Sequence, residues 1–199
     1  MPQVISYKIR DSLYLSINDR CTLVCEFCPK TKGTTKVHEY DLKIDHKPEL
    51  QEVIDSIGDP TDYDEIVFCG YGEPTLRLNL ILSVAKWIKS KKGIVRLNTD
   101  GLANLVHKKN VLPSMEGLID KLSVSLNAQN EEVYIKHCQP QLEGSYHAML
   151  DFLKLSTQYV PEVTASAIDG LPGVDIVKCE LLATKLGVNF KARHLNIVG

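Results

Sequence analysis

The stretch Glu65-Ile-Val-Phe-Cys69-Gly70-Tyr71-Gly72-Glu73-Pro74, then RLNLILSVAKWIKSKK over residues 77–92, then Gly93-Ile-Val-Arg-Leu-Asn98-Thr-Asp-Gly101, carries the fold. After Glu65, residues 66–69 form a short apolar run, as a strand buried on both faces requires, and end at a tight glycine turn. Leu80, Ile81, Val84, Trp87 and Ile88 recur at helical spacing, and Gly93 is a natural cap. Residues 94–97, Ile-Val-Arg-Leu, read as the next strand and close on Asn98-Thr-Asp-Gly101. The order is strand, helix, strand. A helix between two strands implies a right-handed crossover and parallel pairing.

The same alternation extends in both directions. Residues 13–18 alternate as a strand, and Pro48 opens a helix to about Ile57 that stops at Gly58. Further on, the spacing predicts a short helix over 113–119, a strand over 121–126, helices over 130–137 and 145–159, and a strand over 163–168. A helix over 175–186, capped by Gly187, and a strand over 188–195 complete the pattern. About six βα units result, too few to close an eight-stranded barrel, so an open or partial α/β barrel is expected. Polar and glycine residues gather at the C-terminal ends of the first four strands, the rim where parallel α/β proteins build sites. Residues 29–44 read as a polar loop able to fold over that rim.

Composition narrows the class. The chain has 199 residues, 44% hydrophobic and 24% charged, as one globular domain over 1–199 would have. Lys and Arg number 23 against 25 Asp and Glu, a net charge of −2, which argues against a nucleic-acid partner. No apolar run approaches the roughly 20 residues of a membrane span. The first ten residues lack a signal-peptide layout, so a cytoplasmic protein is expected.

Three of the six cysteines, Cys21, Cys25 and Cys28, crowd into eight residues as C-x3-C-x2-C, while Cys69, Cys138 and Cys179 lie far apart. That clustering indicates a metal or cluster site rather than a disulfide framework. Three thiolates so close can ligate three corners of a cubane iron–sulfur cluster and leave one iron open. The competing reading is structural zinc, which wants four protein ligands and usually two separated cysteine pairs; no second C-x2-C exists here. Alternation places Ser123, Ser125 and Asn127 on one strand face, where a dry environment would be costly and a ligand or water is expected. Cys69 and Cys179 are expected to be packed. Cys138 follows a short helix, and a hydrogen-atom donor role is conceivable for it.

The C-x3-C-x2-C motif with Phe27 before its last cysteine resembles the signature of the radical S-adenosylmethionine (SAM) superfamily. The resemblance implies a partial (βα)6 barrel with a parallel sheet and outer helices. It implies that Cys21, Cys25 and Cys28 hold a 4Fe-4S cluster whose open iron chelates SAM. It further implies reductive cleavage of SAM to methionine and a 5′-deoxyadenosyl radical, with a reductase such as flavodoxin or ferredoxin as electron donor. Gly70-Tyr71-Gly72-Glu73 is similar to the family's Gly-Gly-Glu element, which meets the methionine ammonium. Ser123, Ser125 and Asn127 stand where the family places polar groups for the ribose or the methionine carboxylate. Asn98 is a similar candidate, and Arg193 lies where relatives contact the adenine.

More narrowly, residues 11–15, 67–77, 96–101 and 123–128 resemble the short TatD-associated radical SAM proteins. The chain length implies a small-molecule substrate. Other readings are an activase, a protein like 7-carboxy-7-deazaguanine synthase, and a non-catalytic iron–sulfur or zinc sensor or scaffold.

Overall fold

The structure is a computed structural model and describes residues 3–195. Strands β1 (Ser6–Ile9) and β2 (Ser12–Ser16) form a hairpin, and β3 (Lys36–Val37) and β4 (Tyr40–Asp41) form a small ribbon. There follow α1 (Leu50–Ile57), β5 (Glu65–Cys69), α2 (Leu78–Ser90), β6 (Val95–Thr99), α3 (Ala103–His107) and β7 (Lys121–Ser125). The chain continues through α4 (Glu131–Cys138), α5 (Ser145–Ser156), β8 (Glu162–Asp169), α6 (Ile176–Leu186) and β9 (Asn189–His194).

The main sheet runs β1-β2-β5-β6-β7-β8-β9; every neighbouring pair is parallel except β1 with β2. Strand order therefore follows chain order with no reversal. A doubly wound sheet reverses at a switch point; a sheet that does not reverse keeps its crossover helices on one side and curls toward a barrel. Six parallel strands make the partial barrel. Leu78, Ile81, Val84, Ala85 and Ile88 of α2 are buried in the core that Phe68 and Leu97 share. Each such large aliphatic contributes roughly 1.5–3 kcal/mol.

Four local expectations are corrected. The first parallel strand carries an extra antiparallel partner, β1. The loop over 29–44 contains the β3–β4 ribbon, held by Leu42 in a second small cluster with Tyr7 and Tyr71. An α-helix lies at Ala103–His107, ended by Lys108 at φ 52°. The helix expected over 113–119 is a single 3-10 turn at Leu112–Met115. There Asn104 Oδ1 and Asn110 Oδ1 take the N–H groups of Val111 and Leu112, and Gly117 turns the chain at φ 71°. Side-chain oxygens and a left-handed glycine thus compete successfully with continued helix.

Candidate functional site

The loop leaving β2 carries Cys21, Cys25 and Cys28, all partly exposed, onto one wall of a cavity of about 350 Å³ at the C-terminal rim. The loop is docked like a short strand on the end of α4: Val24 N–H donates to Cys138 O at 3.1 Å, Glu26 N–H to His137 O at 3.0 Å, and Gln141 N–H to Thr22 O at 2.9 Å. His137 is buried, with Nδ1 2.6 Å from Glu26 Oε1 and Nε2 2.8 Å from Pro172 O. It pins the cysteine loop to two other segments, a role its sequence neighbourhood does not announce.

Burial pushes the Cys21 thiol up to about 12. The Cys25 thiol is pushed up too, first by donating a hydrogen bond to Cys138 and then by burial; Cys138 is lowered, first by accepting it. Cys138 is fully buried behind Cys25, which places it away from the open side of the site. Cys179 is buried as expected, whereas Cys69 is partly exposed and lines the cavity instead of packing. Among the described residues no three His, Cys, Asp or Glu side chains converge as on a single metal ion. A cubane takes its thiolates at separate corners and does not ask for that convergence.

The turn after β5 sits directly on the entry to this loop. Gly70 has φ 123°, and a Cβ there would meet Ser16 Oγ at 3.0 Å. A Cβ on Gly72 would fall 2.6 Å from Asn18 O and closer still to Arg20 O. Glu73 N–H donates to Arg20 O at 2.7 Å, and Asn18 Nδ2 bridges Arg20 O and Glu73 O. Gly72→Ala is therefore expected to destabilise the fold by roughly 3 kcal/mol, because rigid backbone has to move. It should also lower iron uptake, since Cys21 follows Arg20. An unchanged urea midpoint would contradict this close approach.

Glu73 is almost fully buried and binds the rim together. Its Oε1 accepts from Thr75 N–H (2.9 Å), Thr75 Oγ1 (2.6 Å) and Thr99 Oγ1 (2.8 Å), while Oε2 accepts from Asp100 N–H (2.7 Å). Burial, then the neighbouring Asp100, pushes Glu73 up to about 8. Asp100 is raised as well by burial, despite the Thr22 hydroxyl that donates to its Oδ2. Tyr71 turns away from this cavity, and its hydroxyl donates to Lys36 O at 3.2 Å.

Phe27, Gly70, Gly72, Glu73, Asn98, Ser125, Asn127 and Arg193 line the cysteine cavity. Tyr71 and Ser123 do not. Ser123 shares the face of Ser125 but lies one pleat deeper, opposite Asn98 in the register. Asn127 adopts φ 59°, which turns its amide between two partners: Nδ2 donates to Cys138 Sγ at 3.4 Å, and Arg193 Nη2 donates to Oδ1 at 3.1 Å. Asn98 Oδ1 and Arg193 Nε are buried without a hydrogen-bond partner. Sequence reasoning missed Ser166 and Ile168 of β8, which line the cavity too. The register sets Ser166 opposite Ser125 and Ile168 opposite Arg193, a signal visible only once the strands are paired.

The fold resembles solved structures of SuiB from Streptococcus suis. In the one bound to precursor peptide SuiA, the TM-score is 0.70 at 12% identity, over 94% of this chain and 39% of that one. In the one bound to S-adenosylmethionine it is 0.64 at 12% identity, over 93% and 38%. Among curated proteins, the chain is 29% identical over 129 residues to a dual-specificity RNA methyltransferase RlmN of Buchnera aphidicola subsp. Schizaphis graminum (strain Sg). That match covers 61% of this chain and 33% of the relative, so the chain spans about a third of its length. The sequence matches the Radical SAM superfamily over residues 15–184, and the chain belongs to that superfamily.

Proposed function

We propose that this chain is a radical SAM enzyme whose core domain, residues 1–199, cleaves SAM at a 4Fe-4S cluster and acts on a small molecule. One observation carries the reading: the C-x3-C-x2-C thiols share a single cavity wall with Gly70–Glu73 and face the polar ends of β6, β7 and β9. The residues fit both groups. Three thiols suit a cubane with one open corner. The unpartnered Asn98 Oδ1 and Arg193 Nε suit a ligand with both donors and acceptors.

Cys21, Cys25 and Cys28 would hold the cluster, each as a thiolate. Gly70 and Gly72 let the main chain approach the methionine end. Glu73 would meet the ammonium, with Oε2, which accepts one hydrogen bond where Oε1 accepts three, the freer oxygen. Asn98, Ser125 and Asn127 face the sugar, and Arg193 supplies positive charge beside the thiolates. Phe27 covers the cavity wall. Ser123 and Tyr71 act from outside this cavity, Ser123 beneath it and Tyr71 by anchoring the ribbon. Bound together, cluster and SAM would supply 5′-deoxyadenosyl radical chemistry for hydrogen abstraction at this site.

The electron donor is a flavodoxin or ferredoxin, and the compartment is the cytoplasm. Kinship with the TatD-associated group rests on residues 11–15, 67–77, 96–101 and 123–128. Anaerobically reconstituted protein is expected to carry about four irons per chain. With dithionite and SAM it should release 5′-deoxyadenosine. A cluster without that release would sink the enzyme reading in favour of a sensor, and zinc alone after failed iron loading would favour a scaffold.

A further inference from the structure

A second cavity, of about 450 Å³, adjoins the cysteine cavity and shares Cys28, Cys69, Gly70, Asn98 and Arg193 with it. Its far wall comes from elements peculiar to the N-terminal third of the chain: the β1–β2 hairpin, the β3–β4 ribbon and Tyr71. Tyr7 and Tyr14 stack there with ring centroids 5.5 Å apart and planes at 29°. Tyr71 and Leu42 close against Tyr7.

The charge of this cavity is one-sided. Its lining contains Arg96, Lys191 and Arg193 and neither Asp nor Glu. Arg96 reaches Glu65 at 2.9 Å, but Lys121 claims the same carboxylate at 3.2 Å, so one acid answers two cations. Among the described residues, no carboxylate lies at ion-pair distance from Lys191 or Arg193. These two stand two apart on β9 and therefore share a face. Arg96 Nε and Arg193 Nε are both buried without a hydrogen-bond partner. A buried donor left unpaired costs free energy that a ligand's acceptor recovers.

We propose that this second cavity is the substrate chamber and takes a flat aromatic or heteroaromatic acid. Its ring lies against the tyrosine wall, and its carboxylate is met by Lys191 and the guanidinium of Arg193. The volume suits a small molecule, the aromatic wall of Tyr7, Tyr14 and Tyr71 favours a flat ring in offset or edge contact, and a guanidinium favours a planar anion. The shared wall sets the substrate beside the cysteine cavity. The assignment of a substrate role rests on the radical SAM reading above; the ligand chemistry rests on the cavity itself.

The test is equilibrium dialysis of reconstituted protein, with SAM present, against three probes: 2-naphthoate, 2-naphthylmethylamine and cyclohexanecarboxylate. The second keeps the ring and reverses the charge; the third keeps the charge and loses the flat ring. Naphthoate is expected to be retained at least about tenfold better than either, a difference of roughly 1.4 kcal/mol. Lys191→Glu, at an exposed position, should remove that preference. Equal retention of the three probes, no effect of Lys191→Glu, or displacement of naphthoate by excess SAM would each overturn the proposal. Dithionite is then added to the same samples as the electron donor, and release of 5′-deoxyadenosine is followed. Its absence with naphthoate retained defeats the enzyme reading alone; its presence without naphthoate preference defeats the chamber alone.

Discussion

Cys25→Ala is expected to abolish both iron uptake and SAM cleavage, with 5′-deoxyadenosine release falling at least about 1,000-fold, or roughly 4 kcal/mol in the barrier. Two thiolates cannot hold a cubane at three corners, and no other group stands ready at that corner. Cys138 is the nearest candidate, since Cys25 hydrogen-bonds to it. It is fully buried, its sulfur faces Asn127 Nδ2, and it does not reach the cavity surface. The loop backbone should survive the change, because its docking bonds to residues 137–141 are main-chain bonds. Near-native unfolding with no bound iron is therefore the expected result. The Cys25→Ala, Cys138→Ala double variant guards against a substitute ligand. Iron, sulfide and 5′-deoxyadenosine persisting in the double variant would contradict the assignment of Cys25.

The barrel was legible because β5 is buried on both faces, β6 and β7 alternate in burial, and α2 carries one apolar stripe. Residues 65–69 and 77–92 could hardly be read otherwise. The cysteine triad and Gly70–Glu73 were legible because each group lies within one short segment. What the sequence hid is made of pairings between distant segments. His137 and Glu26 are 111 residues apart, and Cys25 meets Cys138 only after the loop docks on α4. The ribbon at Lys36–Val37 and Tyr40–Asp41 has no local signal, because Tyr7, Leu42 and Tyr71 hold it from three parts of the chain. Ser123 shows the limit of alternation: period two gives the face of a strand, not the depth along it. Cys69 shows a second limit, since an apolar run ends where the last residue meets the cavity.

Glu73 couples the site to stability through its proton. In the unfolded chain its carboxyl takes the ordinary value of 4.5; in the fold, burial pushes it up to about 8. Between those values the folded protein binds a proton that the unfolded chain has released. This contribution is therefore full below pH 4.5 and declines as pH rises toward 8. At about 1.4 kcal/mol per unit, the whole window amounts to at most roughly 5 kcal/mol. Asp100, raised by the same burial, acts in the same direction. Glu52, Asp59 and Asp175 are pulled the other way by hydrogen bonds to backbone N–H groups, so their influence falls below the ordinary carboxylate range and outside this window. The urea midpoint of the metal-free protein, kept reduced, is accordingly expected to drop between pH 5.5 and pH 8.5. Glu73→Gln should flatten that slope. The glutamine oxygen can still take the two Thr75 donors and the Thr99 hydroxyl, and its amide can donate to Asp100. It loses the acceptor for Asp100 N–H, which costs about 1 kcal/mol at every pH. The variant should thus be weaker than wild type at pH 5.5 and no weaker, or stronger, at pH 8.5. Parallel curves for the two proteins would show that Glu73 is ionised throughout and would overturn its raised titration.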